Sequence, residues 1–539
     1  MTDTDTQAVE ALSGGRMARA ALVVMLAYVA SAALGLVRQS LVGSTFGASS
    51  DLDAFFAATR IPELLFNLIA GGALGSAFIP VFTGFLARGE RDAAWQLASA
   101  VLTLWTAAAA LLAAAMFVLA PEVVRAVLLP GDTPAKQRLA AELLRIMLST
   151  VVIFSISGLL MAILNARQHF WRPAFALSLY NLGIIGGVVF LAGPLGIHGV
   201  AWGTVIGALL HAGIQVPGLR RVDARLRFSL NVRTPGVLRV LGLMLPRIIG
   251  QAVVQINFLV ITAFTSFMVD GAQVSVGTAF TLMFTVLGIL GQSIGTAAFP
   301  SLAALVSTED WDGLQRLLGG VLRSVLFLAI PATVGLILIA EPLVRVLFER
   351  GRWLPEATAG TAWALQFFAL GLAAHALLEI LARSFYALQD TWTPVIVGVI
   401  TMAINVLLDV LLIRVIGEPG SLARGPFAGL ALAMSLATAL EAATLWLLLR
   451  RRIGGIGGRR VWALTWRAAL AAVGMGALVW GVLTLTGRLT PVIGLLLAAA
   501  LGVSAYFGLG IILGLEEALM APRLILQRLG WRGGHTGVG

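Results

Sequence analysis

The sequence contains no cysteine, which excludes disulfides, zinc–thiolate sites and cysteine nucleophiles while leaving the compartment open. It has a single lysine, Lys136, preceded by Thr133-Pro134-Ala135 and not by a glycine-rich loop, so there is no P-loop and no sign of direct ATP use. Its 5 histidines are scattered and make no HExxH motif. Charge is scarce: 12% of residues are charged, against about 25% in a soluble globular chain. None of these features signals an enzyme, and none is expected.

What the chain has in excess is apolar surface. Hydrophobic residues make up 59% of its 539 positions, and the mean hydropathy is +0.94. That much apolar surface requires lipid around it. A helix needs about 20 apolar residues to cross the hydrocarbon core, and apolar runs between polar breaks give about fourteen such spans, from 20–42 to 491–514. The second falls at 58–84, the seventh at 240–266, the tenth at 359–386 and the eleventh at 394–416, and the fifth and sixth (174–192 and 197–218) also read as one interrupted helix. Stretches after Pro121 and Pro342 read as interfacial turns outside the spans. The expected fold is an all-α polytopic membrane protein. Its polar N-tail runs into the first span without a small-residue cleavage site, so that helix is expected to stay as an anchor.

Cationic residues set an orientation. With the N-tail inside, segments on the inner side hold 23 arginines, including six in 220–239, and outer segments hold 8 arginines and lysines. Both termini are therefore expected in the cytoplasm. The net charge of +11 is spread over short loops and offers no continuous basic face, so no nucleic-acid partner is expected.

A repeat runs through the chain. Gly75-Ser76-Ala77-Phe78-Ile79-Pro80 returns as Gly295-Thr296-Ala297-Ala298-Phe299-Pro300 at an offset of 220, Asp92 and Leu97 return as Asp312 and Leu317, and Gln168 and Pro173 return as Gln389 and Pro394 at 221. Each copy holds six spans, an even number, so the two share one orientation about an axis along the membrane normal, with a cavity between them. The organisation read from this is a cytoplasmic tail (1–19), a first six-helix repeat (20–219), a basic cytoplasmic linker (220–239), a second repeat (240–451), a C-terminal helix pair (452–514) and a cytoplasmic tail (515–539).

Polar groups at bilayer depth are costly and mark cavities or partners. Arg60, Glu63 and Asn67 form a stripe on the second span; Arg247, Gln251 and Gln255 lie four apart on the seventh; His375, Glu379 and Arg383 do so on the tenth. Arg38 lies near the outer end of the first span. Two readings stay open: ion pairs such as Arg60–Glu63 and Glu379–Arg383 that hold the bundle together, or a hydrated cavity whose guanidinium groups bind an anionic substrate bidentately. Asn405 and Asp409, one turn apart on the eleventh span, offer oxygens to a Na⁺, although two ligands fall short of the six or so a hard cation takes. No other cofactor is expected, and coupling to Na⁺ or H⁺ is left open. Gly183 and Gly187 read as helix packing.

Several stretches resemble the MurJ/MviN family, proposed flippases of lipid II within the MATE-like transporter superfamily. They are Leu34-Gly35-Leu36-Val37-Arg38, Phe46-Gly47-Ala48 with Asp53-Ala54-Phe55-Phe56, Ile61-Pro62-Glu63-Leu64-Leu65, Phe299-Pro300-Ser301-Leu302 and Arg383-Ser384-Phe385-Tyr386-Ala387 with Asp390-Thr391. The likeness covers roughly 20–450. It implies fourteen helices around a central cavity, a monomer in the bacterial cytoplasmic membrane, a lipid-linked anionic substrate (lipid II, the undecaprenyl-pyrophosphate-linked peptidoglycan precursor), and functional roles for Arg38 and Asp53. The chain departs from the family pattern at Ala32, Phe66 and Thr281, where cavity arginines are expected, at Gly71, where a glutamate is, and at Ile261, where the sodium site has an acidic ligand. The substrate-binding candidates are thus Arg38, Asp53, Arg60, Glu63, Arg247, Gln251, Gln255, Glu379 and Arg383. A lipid II flippase is the first functional reading. A paralogue carrying another polyprenyl-linked glycan or a small solute by ion antiport is the second, and a non-transporting scaffold the third.

Overall fold

In lipid, backbone polar groups must be satisfied inside the segment, which leaves an apolar chain of this length the α-helix. The structure, a computed structural model, describes residues 14–69, 73–486 and 490–519, and within them there is no strand. Helix starts are written locally: Thr133 accepts from the Lys136 backbone N–H with Pro134 in the first turn, and Asp310 accepts from Gly313.

The chain divides into two compact units, one reaching Val274 and including Arg350–Leu354, the other comprising Ser275–Glu349 and the chain from Pro355 onward. The first unit holds α1 (Gly14–Phe46), α2 (Ser50–Ile69), α3 (Ala73–Ala87), α4 (Arg91–Val123), α5 (Pro134–Ala166), α6 (Trp171–Gly186), α7 (Ile197–Gly213) and α8 (Val237–Thr265). Its core joins Phe78, Phe82 and Trp95 to Leu159 and Ile163 of α5 and to Val240 and Met244 of α8. Helices α6 and α7 touch through glycines, as expected: a Cβ on Gly183 would lie 2.2 Å from Gly207 and one on Gly187 2.5 Å from Gly203. The turn at Arg350–Leu354 docks on the end of α1, where Gly47 (φ 68) and Gly351 (φ 61) leave room for the Arg352 N–H to reach the Ser44 carbonyl at 2.8 Å.

The second unit holds most of α9 (Ala272–Leu287), then α10 (Ser293–Ser307), α11 (Trp311–Phe348), α12 (Pro355–Leu370), α13 (Leu372–Ala387), α14 (Trp392–Leu412), α15 (Phe427–Ile453), α16 (Gly458–Leu485) and α17 (Pro491–Ile512). Leu326 and Phe327 of α11 pack with Leu464, Met475 and Val479 of α16, and the Tyr506 hydroxyl donates to the Phe327 carbonyl at 2.7 Å. The sequence repeat and the packing units divide the chain at different places. The repeat changes over at 220–239, whereas α8 packs against α2 and α3 and belongs to the first unit.

Helix boundaries carry the repeat. Helix α10 starts and ends 220 residues after α3, α11 starts 220 after α4, and α14 starts 221 after α6. The single helix α5 corresponds at an offset of 221 to α12 and α13 together, which bend by 46° at Gly371. A Cβ there would lie 2.6 Å from the Ser435 hydroxyl.

Eleven described helices are long and apolar enough to cross a membrane, or twelve with the bent pair counted as one. The chain is a multi-pass membrane protein. The expected second and seventh spans, 58–84 and 240–266, fall on α2, α3 and α8, which include positions outside the described residues, and the eleven or twelve are counted among the described residues alone. The fifth and sixth spans are two helices, separated at Gly196 (φ 57). The stretches after Pro121 and Pro342 are not separate turns. Both prolines lie inside helices, and Arg91–Leu128 and Trp311–Phe348 run on for 38 residues each.

Candidate functional site

In the first unit the second-span stripe is held in place from α8. The Arg60 Nε donates to Thr262 Oγ1 at 3.3 Å, Nη1 lies 3.2 Å from Glu63 Oε2, and the guanidinium covers the Phe258 ring at 5.3 Å. Thr262 is itself fixed, donating to the Phe258 carbonyl and accepting from Gln273 Nε2 at 3.1 Å. Arg60 is 15% exposed and Glu63 53%, so the cation is shielded while its carboxylate partner reaches outward. A guanidinium has five N–H groups in a planar fork, and among the described residues Thr262 and Glu63 each take one, so the fork retains the geometry to bind an anion. Arg38 is half-buried on α1, Gln255 half-buried and Gln251 exposed on α8. The side chain of Arg247 lies outside the described residues.

Asp53 has a different setting. Its Oδ2 accepts from the Gly271 backbone N–H at 2.7 Å and its Oδ1 from Val274 at 2.9 Å, so it caps the first turn of α9 from across the chain. Lys136 Nζ lies 3.3 Å from Asp53, 3.0 Å from Asp132 and 3.0 Å from Asp270. Burial, with the Asp270 charge nearby, outweighs Lys136 and raises the Asp132 carboxyl above its ordinary value. Sequence reading reached Asp53 and missed the other three. The signal was the single lysine of the chain, placed in the first turn of α5.

In the second unit Arg383 pairs with Glu379, donates to the Glu379 carbonyl at 3.0 Å, and reaches Thr296 at 3.5 Å. Gly295 lies against it: a Cβ there would sit 2.8 Å from the guanidinium. His375, one turn before Glu379, faces Thr438 of α15 at 3.3 Å. On α14, Asn405 Nδ2 donates to Asp409 Oδ2 at 2.8 Å, and the buried Oδ1 of Asp409 has no hydrogen-bond partner among the described residues. No group of three or more histidines, aspartates or glutamates suited to a metal occurs among them. Glu441 was passed over in the sequence, although it stands alone in an apolar run. It accepts from Thr401 Oγ1 at 3.3 Å, one turn before Asn405 on the same helix.

The chain matches a family model described as lipid II flippase MurJ over residues 42–500. It is 34% identical to the lipid II flippase MurJ of Burkholderia cenocepacia, covering 80% of this chain and 84% of that protein. With the probable lipid II flippase MurJ of Vibrio cholerae serotype O1 the identity is 30%, over 93% and 97% of the two chains. Among solved structures, a lipid II flippase MurJ in an inward closed conformation superposes with a TM-score of 0.76 at 23% identity, covering 94% of this chain and 99% of that one. An inward-facing multidrug resistance MATE family transporter of the MOP superfamily gives 0.64 at 14% identity, over 80% and 98%. By sequence over most of its length and by fold, this chain belongs to the lipid II flippase MurJ family.

Proposed function

We infer that this protein moves lipid II from the cytoplasmic to the outer leaflet of the bacterial cytoplasmic membrane, acting as a transporter and not as an enzyme. Family membership over 42–500 carries the reading. The geometry of Arg60 supports it, because a shielded guanidinium with its fork oriented by Thr262 and Phe258 suits a pyrophosphate. The second and seventh spans cross the membrane as well, their polar stripes serving the substrate, and both termini and the 219–239 segment lie in the cytoplasm. The lipid-linked substrate is bound by a monomer.

The second reading, a relative carrying another polyprenyl-linked glycan, is favoured by the uncharged residues Ala32, Phe66 and Thr281 where the family pattern has arginines. Expression in cells depleted of their own lipid II flippase separates the two: restored growth supports lipid II, and lysis despite membrane-inserted protein supports the other substrate.

A further inference from the structure

The segment joining α7 to α8 carries a pattern that transport leaves unused. From Arg221 to Arg233 polar and apolar residues alternate without exception, with Val222, Ala224, Leu226, Phe228, Leu230 and Val232 at the even positions and four arginines among the odd ones. Period two belongs to an extended strand, and from Ala224 to Asn231 the chain is neither helix nor paired strand. It climbs along α4 instead. Arg225 lies 3.8 Å from Asp92, the Arg227 N–H donates to Ser99 Oγ at 3.0 Å, and the Ser229 N–H donates to Thr103 Oγ1 at 3.1 Å. From Asp92 to Thr103 the helix rises about 16 Å, so the segment ends well inside the apolar length of Arg91–Leu128.

The apolar edge changes surroundings along the way. Val222, Ala224 and Leu226 pack on the core of the first unit, whereas Phe228, Leu230 and Val232 are 82%, 56% and 44% exposed. The exposed trio sits beside a membrane-spanning helix, flanked by Arg225 and Arg227 on one side and Arg233 on the other, all three exposed. An anionic leaflet supplies both complements at once: acyl chains for the trio and phosphates for the guanidinium groups. A protein partner would have to penetrate the leaflet beside α4 to reach them.

We propose that residues 221–233 form an interfacial strap that binds anionic phospholipid, with Phe228, Leu230 and Val232 in the acyl boundary and Arg225, Arg227 and Arg233 on the lipid phosphates. Only the identity of the leaflet, the inner one, rests on the orientation proposed above; the binding itself does not depend on lipid II transport.

The cysteine-free chain permits a direct test. Single cysteines at positions 228, 229, 230, 231 and 232 are spin-labelled in the full-length protein and placed in nanodiscs of phosphatidylcholine, with or without phosphatidylglycerol. Labels at 228, 230 and 232 should relax more with oxygen than with a water-soluble nickel chelate, and labels at 229 and 231 the reverse. Phosphatidylglycerol should deepen the contrast. Replacing Arg225, Arg227 and Arg233 by Gln should remove that response, each arginine contributing about fivefold to binding of the anionic lipid. Equal access of the nickel chelate at all five positions would overturn the strap. So would shielding from both reagents, which means a protein cover, or a depth pattern indifferent to phosphatidylglycerol, which means burial without phosphate recognition. Failure to support growth in depleted cells would leave these measurements unchanged.

Discussion

Lys136 Nζ stands 3.3 Å from Asp53 Oδ2, and the two side chains are 5% and 3% exposed. Asp132 and Asp270 complete the shell around the ammonium, each at 3.0 Å. Removing the cation leaves three carboxylates facing one another, and breaking a buried pair in this way costs about 3–5 kcal/mol. Lys136→Met is therefore expected to lower the thermal unfolding temperature of the purified protein sharply. Asp53→Asn, whose single carbonyl oxygen can still accept from one of the Gly271 and Val274 N–H groups, should cost less than Asp53→Ala. Wild-type stability in Lys136→Met would show that the cluster does not hold α2, α5 and the 270–274 segment together.

Gln168 and Gln389 occupy corresponding positions of the repeat and share a φ of 58°. A non-glycine residue rarely adopts this region, and a β-branched one is an outlier there. Gln389→Gly should leave stability unchanged or raise it by up to about 1 kcal/mol, and Gln389→Val should lower it. The same ordering is expected at Gln168. Thermal unfolding of the four variants checks both copies of the turn, and stable valine variants would contradict the shared geometry.

Burial alone would raise the Asp390 carboxyl, but the N–H and hydroxyl of Thr393 and the Arg452 guanidinium hold it below its ordinary value of 3.8. A depressed folded-state value contributes stability that is present above pH 3.8 and lost as pH falls through the folded value. Asp390→Ala should thus destabilise at neutral pH by about 1 kcal/mol, as for a lost cap, and the gap from wild type should close below pH 3.8. A gap that persists in acid would place the effect elsewhere.

Asp409 has one oxygen held by Asn405 and the other buried without a hydrogen-bond partner among the described residues. An ionised carboxylate in that setting is costly, so a proton or a cation accompanies it. Asn405 and Asp409 together offer fewer than the six or so oxygens a hard cation takes, so a bound Na⁺ is not the expected solution. Unfolding temperatures measured in Na⁺, Li⁺ and K⁺ at equal ionic strength should then coincide. A Na⁺-specific rise that disappears in Asp409→Asn would contradict this.

Much of the architecture is legible in the sequence because a membrane imposes it. Apolar runs locate the helices, and the 220-residue offset between the Pro80 and Pro300 motifs anticipates helix starts that coincide at the same spacing. Glycines at 183 and 187 anticipate a close helix contact. Pairs on one helix, Arg60–Glu63, Glu379–Arg383 and Asn405–Asp409, follow from helical spacing. Lys136 does not, because its partners Asp53 and Asp270 are 83 and 134 residues away and nothing local ties them together. The same holds for Arg60 and Thr262, 202 residues apart. The grouping of α8 with the first unit was hidden because the repeat marks a similarity of sequence, whereas side-chain packing decides which helices cluster.

The central claim is translocation of lipid II, and the most direct measurement follows fluorescent lipid II between leaflets of proteoliposomes containing the purified protein. The expected result is protein-dependent appearance of the substrate in the opposite leaflet. Transport should be lost in Arg60→Ala although the protein stays folded and membrane-inserted, and partly kept in Arg60→Lys, which retains the charge without the planar fork. No translocation by the folded wild-type protein, or full transport by Arg60→Ala, would contradict it.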